Sequence, residues 1–188
     1  VTLSNAHTLA ELKAINNATT GTITLNEYTV ALAGTSSDLA AALAGSFSSS
    51  YTGNVTITNA DYTVAQLKAI NNATTGAIVL TDATVALSGS VSDIKSAFAG
   101  TITTHTGTIT ISDASTTDIT ATDITLINAA STGTITVSNA IDINGSGSEV
   151  AAAFAVIDTN TGNATANVTG TDYTVAQLKA INNATTGT

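Results

Sequence analysis

"DYTVAQLKAINNATTG" fills residues 61–76, and the same sixteen letters return unaltered at 172–187. Within the stretch, Thr63 and Gln66 have the spacing of a capping box, in which a hydroxyl and a side-chain amide satisfy orphan backbone N–H groups at a helix start. Val64, Leu67 and Ile70 then form an apolar stripe at helical spacing, and "NNATTG" ends the helix. A whole supersecondary unit copied letter for letter marks a repeat architecture, and repeats decide the fold before any other signal.

Working outward, each unit opens on a glycine followed by apolar alternation: "GTITL", "GNVTIT", "GAIVL", "GTITI" and "GTITV". Period two and β-branched content predict strands with one buried face. Ile23 and Leu25, Val55 and Ile57, Ile78 and Leu80, Ile109 and Ile111, and Ile135 and Val137 point inward, with Val1 and Leu3 starting the same column. An Asx corner follows at Asn59, Asp82, Asp113 and Asn139, where the side chain can bond its own backbone and tolerate a left-handed conformation.

Gly21, Gly53, Gly76, Gly107, Gly133, Gly162 and Gly187 mark the coil starts, with spacings of 32, 23, 31, 26, 29 and 25 residues that pair to 55, 57 and 54. Short coils pass straight into a capped helix, at Thr8, Thr63 and Thr174. Long coils insert a second strand, at 29–34, 84–89 and 141–146, before helices "SDLAAALAG", "SDIKSAFAG" and "SEVAAAFAV". Gly45 and Gly100 close two of these at a position suited to a helix C′ residue. The expected fold is a β-solenoid with short helices: one array over residues 1–188, about seven coils of stacked parallel strands, built on a double unit of about 55 residues. Alternating coil types would place successive helices on different faces. Reading Thr188 into Val1 gives "GTVTLSNA", close to "GTITVSNA" at 133–140. The expectation is an excerpt of a longer array, or copies stacked end to end through bare strand edges.

Composition narrows the chemistry. Cysteine, proline, methionine, tryptophan and arginine are absent, and the net charge is −9 with Lys13, Lys68, Lys95 and Lys179 the only side-chain cations besides histidine. Such a surface repels phosphate backbones and anionic lipid, so nucleic acid and membrane-surface binding are not expected. No apolar run has the length to cross a bilayer. Low charge and absent sulfur fit an exported, extracellular protein. His7 and His105 sit in different coils without a serine or carboxylate motif, and repeated equivalents do not make the unique constellation that catalysis requires, so no enzyme is expected.

Three other readings attach to particular residues. Asp82, Asp113, Asp142 and Glu149 are the candidates for Ca²⁺, as hard oxygen ligands in an acidic repeat, although the paired-glycine calcium nonapeptide is missing. Thr22 and Thr24, Thr108 and Thr110, and Thr134 and Thr136 form T-x-T pairs on one flat face, similar to the ice-binding ladders of some antifreeze proteins. Asn17, Asn54, Asn72, Asn144, Asn163, Asn167 and Asn183 begin N-x-[ST] sequons, so glycans are possible partners.

The "TGTITLS"-style strands and "LKAINNATTG" helices resemble repeat regions of very large secreted bacterial surface proteins, cyanobacterial ones in particular. The resemblance implies stalk, fibre or surface-layer material, with no catalytic residues to transfer. The function expected is a structural segment of an extracellular filament, stalk or surface layer. The alternative is an adhesin or calcium-stabilised ligand-binding module; ice binding follows behind.

Overall fold

A computed structural model describes residues 1–187. The expected join of Thr188 to Val1 therefore lies outside the described residues. In chain order the elements are β1 (Thr2–Leu3), α1 (Leu9–Ala18), β2 (Thr24–Leu25), β3 (Leu32–Gly34), α2 (Ser36–Leu43), β4 (Val55–Ile57), α3 (Val64–Ala73), β5 (Ile78–Leu80), β6 (Leu87–Gly89) and α4 (Val91–Ala97). They continue with β7 (Ile109–Ile111), β8 (Asp118–Thr120), α5 (Ala121–Ala130), β9 (Ile135–Val137), β10 (Asp142–Gly145), α6 (Gly147–Val156), β11 (Thr159–Asn160), β12 (Thr165–Val168) and α7 (Val175–Ala184).

The chain divides into two compact units. One holds Val1–Val85 with Ser96–Thr103, and the other holds Ala86–Lys95 with the residues from Thr104 onward. The first carries sheets β1-β2 and β3-β4-β5, with α1 packed on α2 and α2 on α3. The second carries sheets β6-β7-β9-β11 and β8-β10-β12, with α5 packed on α6 and α6 on α7.

This corrects the expected architecture. In place of a β-solenoid of about seven coils, the described residues form a mixed α/β fold with seven helices and four small parallel sheets of two to four strands. The alternation of helices between faces fails as well, because consecutive helices pack directly on one another within each unit.

The physical reason lies in two unequal periods. Paired strands are separated by 22 to 26 residues along the chain, whereas helices begin every 26 to 30. Paired strands sit about 4.8 Å apart, but packed helix axes need about 8–10 Å. Across most pairs the strand therefore moves back from its helix, although β7 and β9 each lead theirs by 12. In β3-β4-β5 the strands begin 4, 9 and 13 residues before the next helix; in β8-β10-β12 the leads are 3, 5 and 10. A fresh strand beside the helix then takes over: β6 begins only 4 residues before α4, where β5 began 13 before it. The uneven glycine spacings mix these two kinds of strand, whereas the helix starts recur almost evenly.

Local chemistry follows the sequence closely. Capping boxes form at Thr8–Glu11, Thr63–Gln66 and Thr174–Gln177, and a fourth forms at Ser146–Glu149. Each such cap stabilises its helix by about 1 kcal/mol. The inward alternation holds for Ile23, Leu25, Val55, Ile57, Ile78, Leu80, Ile109, Ile111, Ile135 and Val137, all buried. They lie in separate sheets rather than one column, and Val1 is exposed. Gly76 is required by close approach: a Cβ there would overlap the carbonyl of Gly53, and at Gly133 it would overlap the carbonyl of Gly107. Gly45 and Gly100 serve a different purpose from the expected left-handed cap, for neither has positive φ. Their missing side chains make room for the amides of Asn16 and Asn71 on the preceding helices.

Candidate functional site

The four carboxylates proposed for a cation are each engaged by protein donors. Asp82 Oδ1 accepts from the Thr84 N–H at 2.9 Å and the Thr84 hydroxyl at 2.6 Å, and these bonds hold its carboxyl below the usual range. Asp113 Oδ2 accepts from the Val91 N–H at 2.8 Å, at the first turn of α4. Asn59 does the same for α2, accepting from Ser36 N–H at 2.7 Å. Asn59 and Asp113 therefore tie one segment to another, as does Asn139 by donating to the Asp113 carbonyl at 2.7 Å, whereas Asp82 bonds its own backbone two residues on; none of the four uses the left-handed conformation it could tolerate. Asp142 accepts from the Thr165 hydroxyl. Glu149 accepts from the Ser146 N–H and hydroxyl at 2.8 Å, which lowers its pKa. Among the described residues, no group of three or more His, Asp or Glu is arranged to hold a metal ion.

The histidines are buried and structural in setting. The Tyr51 hydroxyl donates to the Val30 carbonyl at 2.6 Å, so it accepts from His7 Nε2 at 3.1 Å, which assigns the proton to that nitrogen. Burial lowers the His7 pKa, against smaller opposing effects of Glu11 and Glu27. Burial also pushes the Tyr51 and Tyr62 phenols up to about 12. His105 Nδ1 lies 3.3 Å from Ser131 Oγ.

A set of hydroxyls missed at the sequence level joins successive segments. Thr74 Oγ1 accepts from Gly76 N–H at 2.9 Å and donates to the Gly53 carbonyl at 3.0 Å. Ser131 Oγ accepts from Gly133 N–H at 3.0 Å and donates to the His105 carbonyl at 3.0 Å. Thr185 accepts from Gly187 N–H and donates to the Ala164 carbonyl. The readable signal was the recurrent [ST]-T-G at 74–76, 131–133 and 185–187.

The T-x-T pairs lie in separate sheets. Thr24 lies in the β1-β2 sheet, whereas Thr110 pairs with Thr136 in β7-β9, where the exposed Thr108 and Thr134 hydroxyls sit 3.0 Å apart. Of the sequon asparagines, Asn17, Asn54, Asn72, Asn163, Asn167 and Asn183 are exposed. Asn144 is half-buried, donating to Asp118 Oδ1 and to the Asp142 carbonyl.

What stands open is the face of the second sixteen-residue copy. Tyr173 is 47% exposed, Val175 85% and Leu178 40%, although the same residues in the first copy, Tyr62, Val64 and Leu67, are at most 4% exposed. Between β12 and α7 runs an open groove lined by Ala166, Val168, Leu178, Ile181 and Thr185. β12 pairs with β10 along one edge, and β10 is its sole strand partner among the described residues.

Comparisons with protein-family models, with curated proteins and with solved structures found no match. Among the described residues, no helix is long and apolar enough to cross a membrane.

Proposed function

We propose that the chain is a non-catalytic structural repeat segment of an extracellular filament, stalk or surface layer, associating with further repeats of its own kind. One observation carries this reading: an identical sixteen-residue unit serves once as a covered internal segment and once as an open face. Units whose polar side chains are spent on joining neighbours are suited to building length. The Asx ties of Asn59 and Asp113, the Thr165–Asp142 bond and the Thr/Ser–Gly turns work this way, while the capping boxes, Asp82 and Glu149 serve their own segments.

Fractionation of the source cells with an antibody raised against the chain tests the reading. The chain should appear in material sheared from the cell surface or shed to the medium. Recovery confined to the cytoplasm would overturn it.

A further inference from the structure

The first copy shows what its open twin can hold. Within the first unit, β5 pairs with β4 in parallel, Val55 opposite Ile78 and Ile57 opposite Leu80. The Tyr62 hydroxyl donates to the Asp82 carbonyl at 2.6 Å, and the Asn71 amide donates to the Ser96 carbonyl at 2.8 Å. Gly100 leaves room for that asparagine. Residues 77–85 and 96–103 thus supply a strand, a corner carbonyl and a helix end to the sixteen-residue unit.

Counting back from the shared aspartate, Ala166–Val168 stands where Val55–Ile57 stands, ahead of Tyr173, Val175, Leu178 and Asn182 in place of Tyr62, Val64, Leu67 and Asn71. The backbone groups on the free edge of β12, the phenol of Tyr173, the exposed amide of Asn182 and the apolar groove repeat the internal arrangement. We propose that the β12–α7 face is a docking site for a strand–corner–helix segment with the chemistry of residues 77–103, added as a parallel strand beside Ala166–Val168 with its helix end at the Asn182 amide. The proposal rests on the reading of the chain as a structural repeat and names what it joins. Strand addition supplies backbone hydrogen bonds, and the helix groove supplies selectivity.

The drift between strands and helices decides which segment fits. β4 begins 9 residues before α3, and β5, which pairs with it, begins 13 before α4. β12 leads α7 by 10, and in every strand pair among the described residues the later strand keeps or lengthens the lead of the earlier one, so its partner needs a lead of at least that length. The N-terminal strand β1 leads α1 by only 7. A second copy entering through β1 would shorten the lead by 3, which none of the strand pairs among the described residues does. The occupant is therefore a unit of the 77–103 type and not the chain's own first unit.

The test adds a synthetic peptide of residues 77–103 to the full chain and follows amide exchange and methyl NMR. Protection of the Ala166–Val168 amides should rise about tenfold on saturation, and the Val175 and Leu178 methyl signals should shift. Leu178→Asp and Val175→Asp, both at exposed positions, should leave the circular dichroism spectrum unchanged and abolish the response. An unchanged 166–168 segment, an equal response to a scrambled peptide, or an equal response in L178D would each overturn the proposal. So would self-association without peptide that protects Thr2 and Leu3, since the occupant would then be a second copy. Peptide binding is indifferent to where the chain resides in the cell, and cell fractionation is indifferent to the peptide, so the two readings fail separately.

Discussion

Residues 61–76 and 172–187 are the same polypeptide in two situations. Both form a ten-residue helix from the same capping box, with an extended cap residue at either end. Leu67 is fully buried whereas Leu178 is 40% exposed, and Tyr62 is buried whereas Tyr173 is half open. Local sequence sets the helix and its boundaries; what lies beside it sets the energy of each side chain. The pair is thus an internal control in which intrinsic propensity is held constant and only burial changes.

Matched substitutions sharpen that control, and the core leucine gives the largest contrast. Leu67→Ala should cost about 3 kcal/mol, a transfer term plus a cavity, while Leu178→Ala should cost less than about 1 kcal/mol as a surface change. Urea unfolding of the two variants measures the difference, and equal costs would break the comparison. Next comes the phenol. Tyr62→Phe leaves the Asp82 carbonyl without its donor and should cost about 1–2 kcal/mol. Tyr173→Phe should stay within about 0.5 kcal/mol. Third, Asn71→Ala removes the bond to the Ser96 carbonyl for about 1 kcal/mol, with Asn182→Ala close to neutral; thermal melts at fixed pH rank the pair.

Acid provides the mildest test, through groups outside both copies. Cap bonds from Thr8 and Ser146 lower the pKa of Glu11 and Glu149, the Lys13 ammonium lowers that of Asp38, and Thr84 lowers that of Asp82. The unfolded chain takes up these protons first, so the stability they contribute is full above the ordinary carboxylate range and declines as pH falls through it. Desolvated His7 has the same sign, since its ring stays neutral in the fold below the ordinary value of 6.5. Melting temperature should therefore begin to fall below about pH 6.5 and fall further below about pH 4. His7→Phe should flatten the upper limb; an unchanged limb would remove His7 from this account.

Much of the local structure was readable. Alternation at Val55–Ile57 or Ile109–Ile111 is decided by side-chain period alone, and the Thr–x–x–Glu/Gln boxes announce their helices. α5 was not readable, because "ATDITLINAA" carries β-branched residues of modest helix propensity. Burial of Ala121, Ile124 and Ile127 on one face decides it instead. The pairing of strands was also hidden. Every "GTIT"-like segment looks alike, while the distance from each strand to its helix belongs to the packing of two kinds of element. Of the site, Tyr173, Val175 and Leu178 could not be singled out, since identical letters at 62, 64 and 67 are buried. The hydroxyl of Thr74 was legible only as part of a helix-ending string, because its two bonds depend on a carbonyl contributed from 21 residues earlier.

The brevity of the strands bears on how such a chain behaves when crowded. An edge of two to four residues displays a handful of backbone donors and acceptors, too few to template amyloid growth from an arbitrary passing peptide. Capture demands that a second surface fit at the same moment. A molecule rich in threonine, valine and isoleucine can thereby keep open strand edges without becoming indiscriminately sticky.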